Sequence, residues 1–123
     1  EQLARTDRMA KAEPPKDYAA LQTVTVGLCG GDGIGPIISA ESERLLQFIL
    51  KDEIAAGKIE LRTIEGLTIE NRIAHNQAIP DDVLAEIKAC NVILKAPTTT
   101  LKGGALESAN VAMRRELDLY ILP

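Results

Sequence analysis

An apolar run, Val24-Thr-Val-Gly-Leu-Cys29, leads directly into Gly30-Gly-Asp-Gly-Ile-Gly35 and then Pro36. Branched apolar residues favour a strand. Glycines permit positive φ, so the next six residues read as a turn. Proline suits the first turn of a helix, where its missing N–H is not needed. Ile38, Leu45, Leu46, Ile49 and Leu50 recur at helical spacing and carry that helix to about Lys51, and Gly57 ends the connection. Strand, tight turn and helix in that order are the opening of an α/β unit.

The remainder repeats the alternation. Ile59-Glu-Leu-Arg-Thr-Ile64 alternates apolar and polar, as a half-buried strand does. Residues 66–78 carry no clear period. Pro80 opens a second helix with Asp81 and Asp82 in its first turn, near the positive end of the dipole, and Val83, Leu84 and Ile87 are expected to face the core. Asn91-Val-Ile-Leu-Lys95 reads as a buried strand, residues 96–107 as a polar loop, Ser108 to Leu117 as a helix, and Asp118 to Leu122 as the start of another extended run. The expected class is α/β: a largely parallel sheet flanked by helices. Residues 1–22, with mixed charges and Pro14-Pro15, read as an exposed arm or short helix and a linker; residues 23–123 form the α/β part. No internal repeat is present.

Composition bounds the partners. The chain has 123 residues, 46% hydrophobic, and only three aromatic rings, so its core is expected from Leu, Ile, Val and Ala. Net charge is −4 without a long basic run, which favours neither nucleic acid nor an anionic membrane. No apolar stretch approaches a membrane span, and no signal-peptide pattern opens the chain. Cys29 and Cys90 each follow a short apolar run, which fits two reduced, buried thiols and hence a cytoplasm-like compartment. The chain begins at Glu1, so trimming of its upstream end is expected.

Three stretches could carry chemistry. A Rossmann fingerprint starting at Gly31 needs a third glycine at position 36, which is Pro36, so the match fails and spacing alone favours a tight strand-to-helix turn. Lys95-Ala-Pro-Thr-Thr-Thr100 follows a strand, and α/β proteins place ligands beyond the C-terminal ends of parallel strands. Its hydroxyls donate and accept, and Lys95 offers a charge to a carboxylate or phosphate; as a bare pattern it is also an ordinary surface turn. In Ser108-x-Asn110-x-x-x-Arg114 the last two residues are four apart and share a helix face. A hydroxyl, an amide and a guanidinium suit a small polycarboxylic acid, because arginine grips carboxylates bidentately. The alternative is Ser108 as an N-cap and Arg114 on a solvated face beside Arg115 and Glu116. His75, the one histidine, has no motif around it and reads as surface or core, and Asp118 and Tyr120 read as a helix end and a partly buried ring.

Gly31 to Pro36, Lys95 to Thr100 and Ser108 to Tyr120, in this order, resemble the NAD(P)-dependent β-decarboxylating dehydrogenases of the isocitrate/isopropylmalate family. The resemblance covers nearly everything from Val24 to Leu122. It implies a non-Rossmann cofactor cleft, NAD or NADP as cofactor, Ile34 on the cleft wall, Thr99 and Thr100 against the nicotinamide part, and Lys95 near nicotinamide and substrate. It implies that Ser108, Asn110 and Arg114 hold the substrate. Serine and asparagine look like the isocitrate enzymes; isopropylmalate enzymes tend to be apolar there, and homoisocitrate enzymes keep the serine and often lose the asparagine. Three departures stand out: Ile37 where the family has Glu, Ala96 for a glycine that is strained as alanine if φ is positive, and Leu101 where a second proline is common.

The implied reaction oxidises a 2-hydroxy acid by hydride transfer and then releases the β-carboxylate. A divalent cation, Mg2+ or Mn2+, would polarise the 2-oxygen. Its aspartate ligands, the catalytic Tyr and Lys and further substrate arginines come from later positions in the family. The segment would therefore be inactive alone, as the N-terminal part of the large domain of a homodimeric enzyme. The other reading is a non-catalytic or regulatory homologue that binds a carboxylate or a partner subunit.

Overall fold

The computed structural model describes residues 1–119. Its elements in order are helix α1 (Gln2–Ala10), strand β1 (Val24–Cys29), helices α2 (Gly35–Ile49) and α3 (Lys51–Ala55), strand β2 (Ile59–Ile64), helices α4 (Ile69–His75) and α5 (Asp81–Ala89), strand β3 (Val92–Lys95) and helix α6 (Ala109–Glu116). The three strands form one parallel sheet in the order β2-β1-β3. Val24 stands opposite Ile59 and Cys29 opposite Ile64; on the other side Val26 pairs with Val92 and Cys29 with Lys95. That last pairing sets the glycine turn and the threonine loop side by side, because each leaves the sheet from the same end. The expected α/β class with a parallel sheet is what the chain forms.

One core gathers on one side of the sheet. Cys29, Ile64 and Leu67 meet Ile79, Val83 and Ile87 around α5, and Ala109, Ala112 and Met113 of α6. As the composition required, this core is aliphatic. Val83 and Ile87 are four apart, one helical turn, so α5 presents both to the sheet while its first-turn Asp81 and Asp82 stay exposed.

The structure corrects several expectations. β3 is a strand, but it is not buried: Val92 is 46% and Leu94 43% exposed, while Ile93 packs on the core. It lies at the sheet edge, and alternate side chains point to opposite faces, only one of which is covered. The α2 apolar positions are helical as their spacing requires, yet Leu45, Phe48 and Ile49 are exposed. The backbone departs from helix at Leu50 (φ −100°, ψ 17°) and resumes as α3, so the connection runs past Lys51 to Ala55. The ambiguous stretch holds α4, opened by Thr68, whose hydroxyl accepts from Asn71 N, and closed by Asn76 in the left-handed region. Asp118 also takes positive φ (50°), so it turns the chain instead of starting a strand; Tyr120 and the rest of the expected extended run lie outside the described residues.

The N-terminal arm contains a docked helix. Arg5 and Arg8 of α1 both reach the carboxylate of Asp118, at 3.1 and 3.3 Å, and Glu1 approaches Arg115. Among the described residues no helix is long and apolar enough to cross a membrane.

Candidate functional site

The glycine turn and the threonine loop fit together through their backbones. Gly31 has φ +68°, and a Cβ there would collide with the carbonyl of Pro97. Only glycine allows both that conformation and that approach. The approach is used: Asp32 N donates to Pro97 O at 2.8 Å, and Ala96 N donates to Cys29 O at 2.9 Å. Ala96 is not among the positive-φ residues, so alanine sits there without the strain a left-handed position would impose. Ile34, the N-cap residue of α2, is 66% exposed beside this junction, and neighbouring Ile37 is 70% exposed.

Two charged side chains hold the threonine loop. Asp32 accepts from Ile69 N through one carboxylate oxygen and from Thr99 N through the other, each at 2.8 Å. Arg72 of α4 is fully buried and donates to three carbonyls: Ala78 at 2.7 Å, Thr99 at 2.8 Å and Glu107 at 2.9 Å. Burial lowers its pKa, and nearby Asp32 opposes that shift. Thr99 and Thr100 are left exposed. The Thr98 hydroxyl is buried without a hydrogen-bond partner among the described residues. Lys95 is half-buried and donates to Ala96 O; its pKa is lowered chiefly by burial, with the cations of Arg114 and Arg72 adding to the effect.

The third stretch lies on α6. Ser108 is its N-cap residue, but its side chain makes no capping hydrogen bond. Asn110 is half-buried and Arg114, one turn on, is exposed. Among the described residues none of these three side chains makes a hydrogen bond or ion pair, in contrast to Arg115, which pairs with Glu107 at 2.7 Å and with Glu116 at 3.3 Å. Arg114 lines a hollow of about 410 Å³ between α1 and α6 together with Arg5, Arg8 and Val111. The helix itself is anchored by Ala109, Ala112 and Met113 on its other side.

The structure thus joins the glycine turn to the threonine loop by direct contact, and the threonine loop to the start of α6 through Arg72. Lys95 and Arg114 come within electrostatic reach of each other. Arg72, Asp32 and Thr98 escape a reading of the sequence. Asp32 stands among glycines and looks like turn chemistry; Arg72 falls in the stretch without apolar period. His75 ends α4, exposed, with Nδ1 2.9 Å from Asn71 O and no part in this junction. Among the described residues no three His, Cys, Asp or Glu side chains cluster as a metal site.

The family model for isocitrate/isopropylmalate dehydrogenase matches residues 25–122. An isocitrate dehydrogenase [NADP] of Coxiella burnetii is 34% identical over 94 residues, covering 74% of this chain and 22% of its own length. One of Rickettsia felis is 37% identical over 90 residues, covering 73% of this chain and 17% of its own. A regulatory subunit 3 of mitochondrial isocitrate dehydrogenase [NAD] from Arabidopsis thaliana is 29% identical over 96 residues, covering 78% and 23%. The chain spans about a fifth of the length of these curated relatives.

Proposed function

The chain belongs to the isocitrate/isopropylmalate dehydrogenase family, and on that premise we propose that it supplies the substrate clamp and part of the cofactor wall for the NAD(P)-dependent oxidative decarboxylation of isocitrate. The observation that carries the proposal is the state of α6. Among the described residues Ser108, at the N-cap, and Asn110 and Arg114 on α6 keep their side-chain donors unpaired, while Ala109, Ala112 and Met113 of the same helix are buried. A guanidinium with free N–H groups, a hydroxyl and an amide suit the carboxylates of a polycarboxylic acid and leave an apolar side group without a partner. That favours isocitrate over isopropylmalate, with homoisocitrate between them.

Arg114 would hold one carboxylate through both oxidation and decarboxylation, so its contribution is orientation. Ser108 and Asn110 would fix the acid's rotation. The exposed Thr99 and Thr100, with Ile34 at the start of α2 and Lys95 at the end of β3, form the wall that fits a nicotinamide dinucleotide, and the Thr98 hydroxyl, unpartnered among the described residues, fits a polar group bound there. When bound, that cofactor accepts the hydride. NADP is the first form to test, since the Coxiella and Rickettsia proteins are named for it. The described residues do not make a site for Mg2+ or Mn2+, so no step is assigned to a metal on them. We also propose that residues 23–123 are the first part of the large domain of a homodimeric, cytoplasmic enzyme, and that this segment alone is inactive.

The test is reduced-nicotinamide absorbance with isocitrate, magnesium and NAD or NADP, with isopropylmalate as control, beside calorimetric binding of each acid. Binding of isocitrate and not isopropylmalate supports the clamp; equal binding of both, or of neither, removes it. Turnover by this chain alone would refute the expected inactivity. The match to a regulatory subunit favours a second reading, a non-catalytic homologue. That reading expects isocitrate binding without dinucleotide binding.

A further inference from the structure

Thr99 is gripped from both sides of its own backbone. Its N–H donates to Asp32 and its carbonyl accepts from Arg72, each at 2.8 Å. The second oxygen of Asp32 accepts from Ile69 N, the first residue of α4, and α4 carries Arg72. The hydrogen bonds therefore close a circuit: Asp32 to the start of α4, α4 to Thr99 through Arg72, and Thr99 back to Asp32. A second donor of Arg72 leaves the circuit for Glu107 O at 2.9 Å, next to Ser108 at the base of α6. One rigid guanidinium thus touches both the loop of Thr99 and the start of the helix with Ser108, Asn110 and Arg114.

Arg72 is 0% exposed and has no carboxylate at ion-pair distance among the described residues. A buried cation with no carboxylate paired to it is costly unless its donors are satisfied. Here Nε, Nη1 and Nη2 each meet a carbonyl, in three directions that only a planar fork can serve at once. A core role alone would be met by an aliphatic residue, as it is at Ile64, Leu67 and Ile87. We infer that Arg72 and Asp32 are positioning residues that set the cofactor-facing threonine loop against the base of the carboxylate clamp, so that occupancy of one surface favours occupancy of the other. The inference rests on the dehydrogenase reading of those two surfaces.

The test compares the wild-type chain with Arg72→Lys and Asp32→Asn, and with Arg44→Lys on exposed α2 as control. Lysine keeps the charge but cannot span three carbonyls. Asparagine keeps the shape but leaves one of the two amides without its acceptor, and it serves should the lysine variant fail to fold. Amide hydrogen exchange is read at Thr99 and at Leu84 of α5, whose N–H donates to the O of Pro80, the N-cap residue of that helix. In Arg72→Lys the Thr99 amide is expected to exchange about tenfold faster although its own acceptor is untouched, with Leu84 unchanged. An unchanged Thr99, or an equal rise at Leu84, overturns the inference, the second because it reports general destabilisation.

The binding arm measures NADP+ alone, isocitrate alone and each in the presence of the other. Wild type and Arg44→Lys are expected to bind each ligand more tightly when the other is present, and both Arg72→Lys and Asp32→Asn to lose that gain. Coupling that survives in both variants overturns the inference and leaves the dehydrogenase reading standing. A wild-type chain that binds neither ligand overturns that reading instead, and exchange at Thr99 then decides whether Arg72 sets the loop.

Discussion

The carboxylate of Asp32 and the backbone N–H of Thr99 meet at 2.8 Å across 67 positions of sequence, closing the glycine turn onto the threonine loop. With Ile69 N on its other oxygen, Asp32 satisfies two donors at once. Asp32→Ala removes both acceptors and is expected to lower stability by about 1–3 kcal/mol, the penalty of orphaned donors moderated by the exposure of Thr99. Urea midpoints of the two chains measure it. A shift within error would mean that water replaces the carboxylate at no cost.

Asn110→Leu bears on the substrate. If the amide meets a carboxylate or hydroxyl of isocitrate, the variant binds isocitrate about tenfold more weakly, and isopropylmalate gains relative to it. Paired calorimetric titrations of both acids give the ratio. An unchanged ratio would take Asn110 out of the clamp.

Cys29 makes stability sensitive to alkali. Burial, with smaller contributions from its neighbours, pushes its thiol from 9.0 to about 11. The folded state then holds a proton that the unfolded state releases. The stabilising contribution is complete below pH 9 and is lost as pH rises towards 11, amounting to about 2–3 kcal/mol. Denaturation at pH 8 and at pH 10.5 should show the loss, and Cys29→Ala should abolish most of it. A thiol reagent at neutral pH should reach half-buried Cys90 well before Cys29.

Asp118 is the latch of α1. Hydrogen bonds from Arg8 and Arg5 hold its carboxyl below the usual 3.8. A depressed carboxylate stabilises above its unfolded pKa, and the effect is lost as pH falls through the lower folded value. Docking of α1 is therefore expected to persist at neutral pH and to fail in acid. Asp118→Asn should free α1 at neutral pH, seen as faster tryptic cleavage after Arg5 and Arg8 with the rest of the chain intact. Equal cleavage rates would show that α1 is held by other contacts.

The strands and the strand–turn–helix junction were legible because each is written in neighbouring residues: the apolar run before Gly30, the alternation from Ile59 to Ile64, Pro80 ahead of two aspartates. α4 was not, since its start depends on a Thr68 cap and its main side chain, Arg72, points inward against the usual sense of a charge. The one-sided exposure of β3 was not legible either, because an apolar run shows that a strand can be covered and says nothing of how many faces are.

By itself the sequence determined the α/β class, the places of the glycine turn, the threonine loop and the helix that carries Asn110 and Arg114, and through its ordered motifs the family. Those properties follow from local backbone preferences and from residue types at short spacing. Only the tertiary structure decided that Asp32 and Arg72 grip Thr99, that Glu107 shares the same guanidinium, that α1 docks on Asp118 and that Leu45, Phe48 and Ile49 stand exposed. Each joins residues far apart in the chain or depends on what packs nearby, and such pairings exist only once the strands have fixed their register.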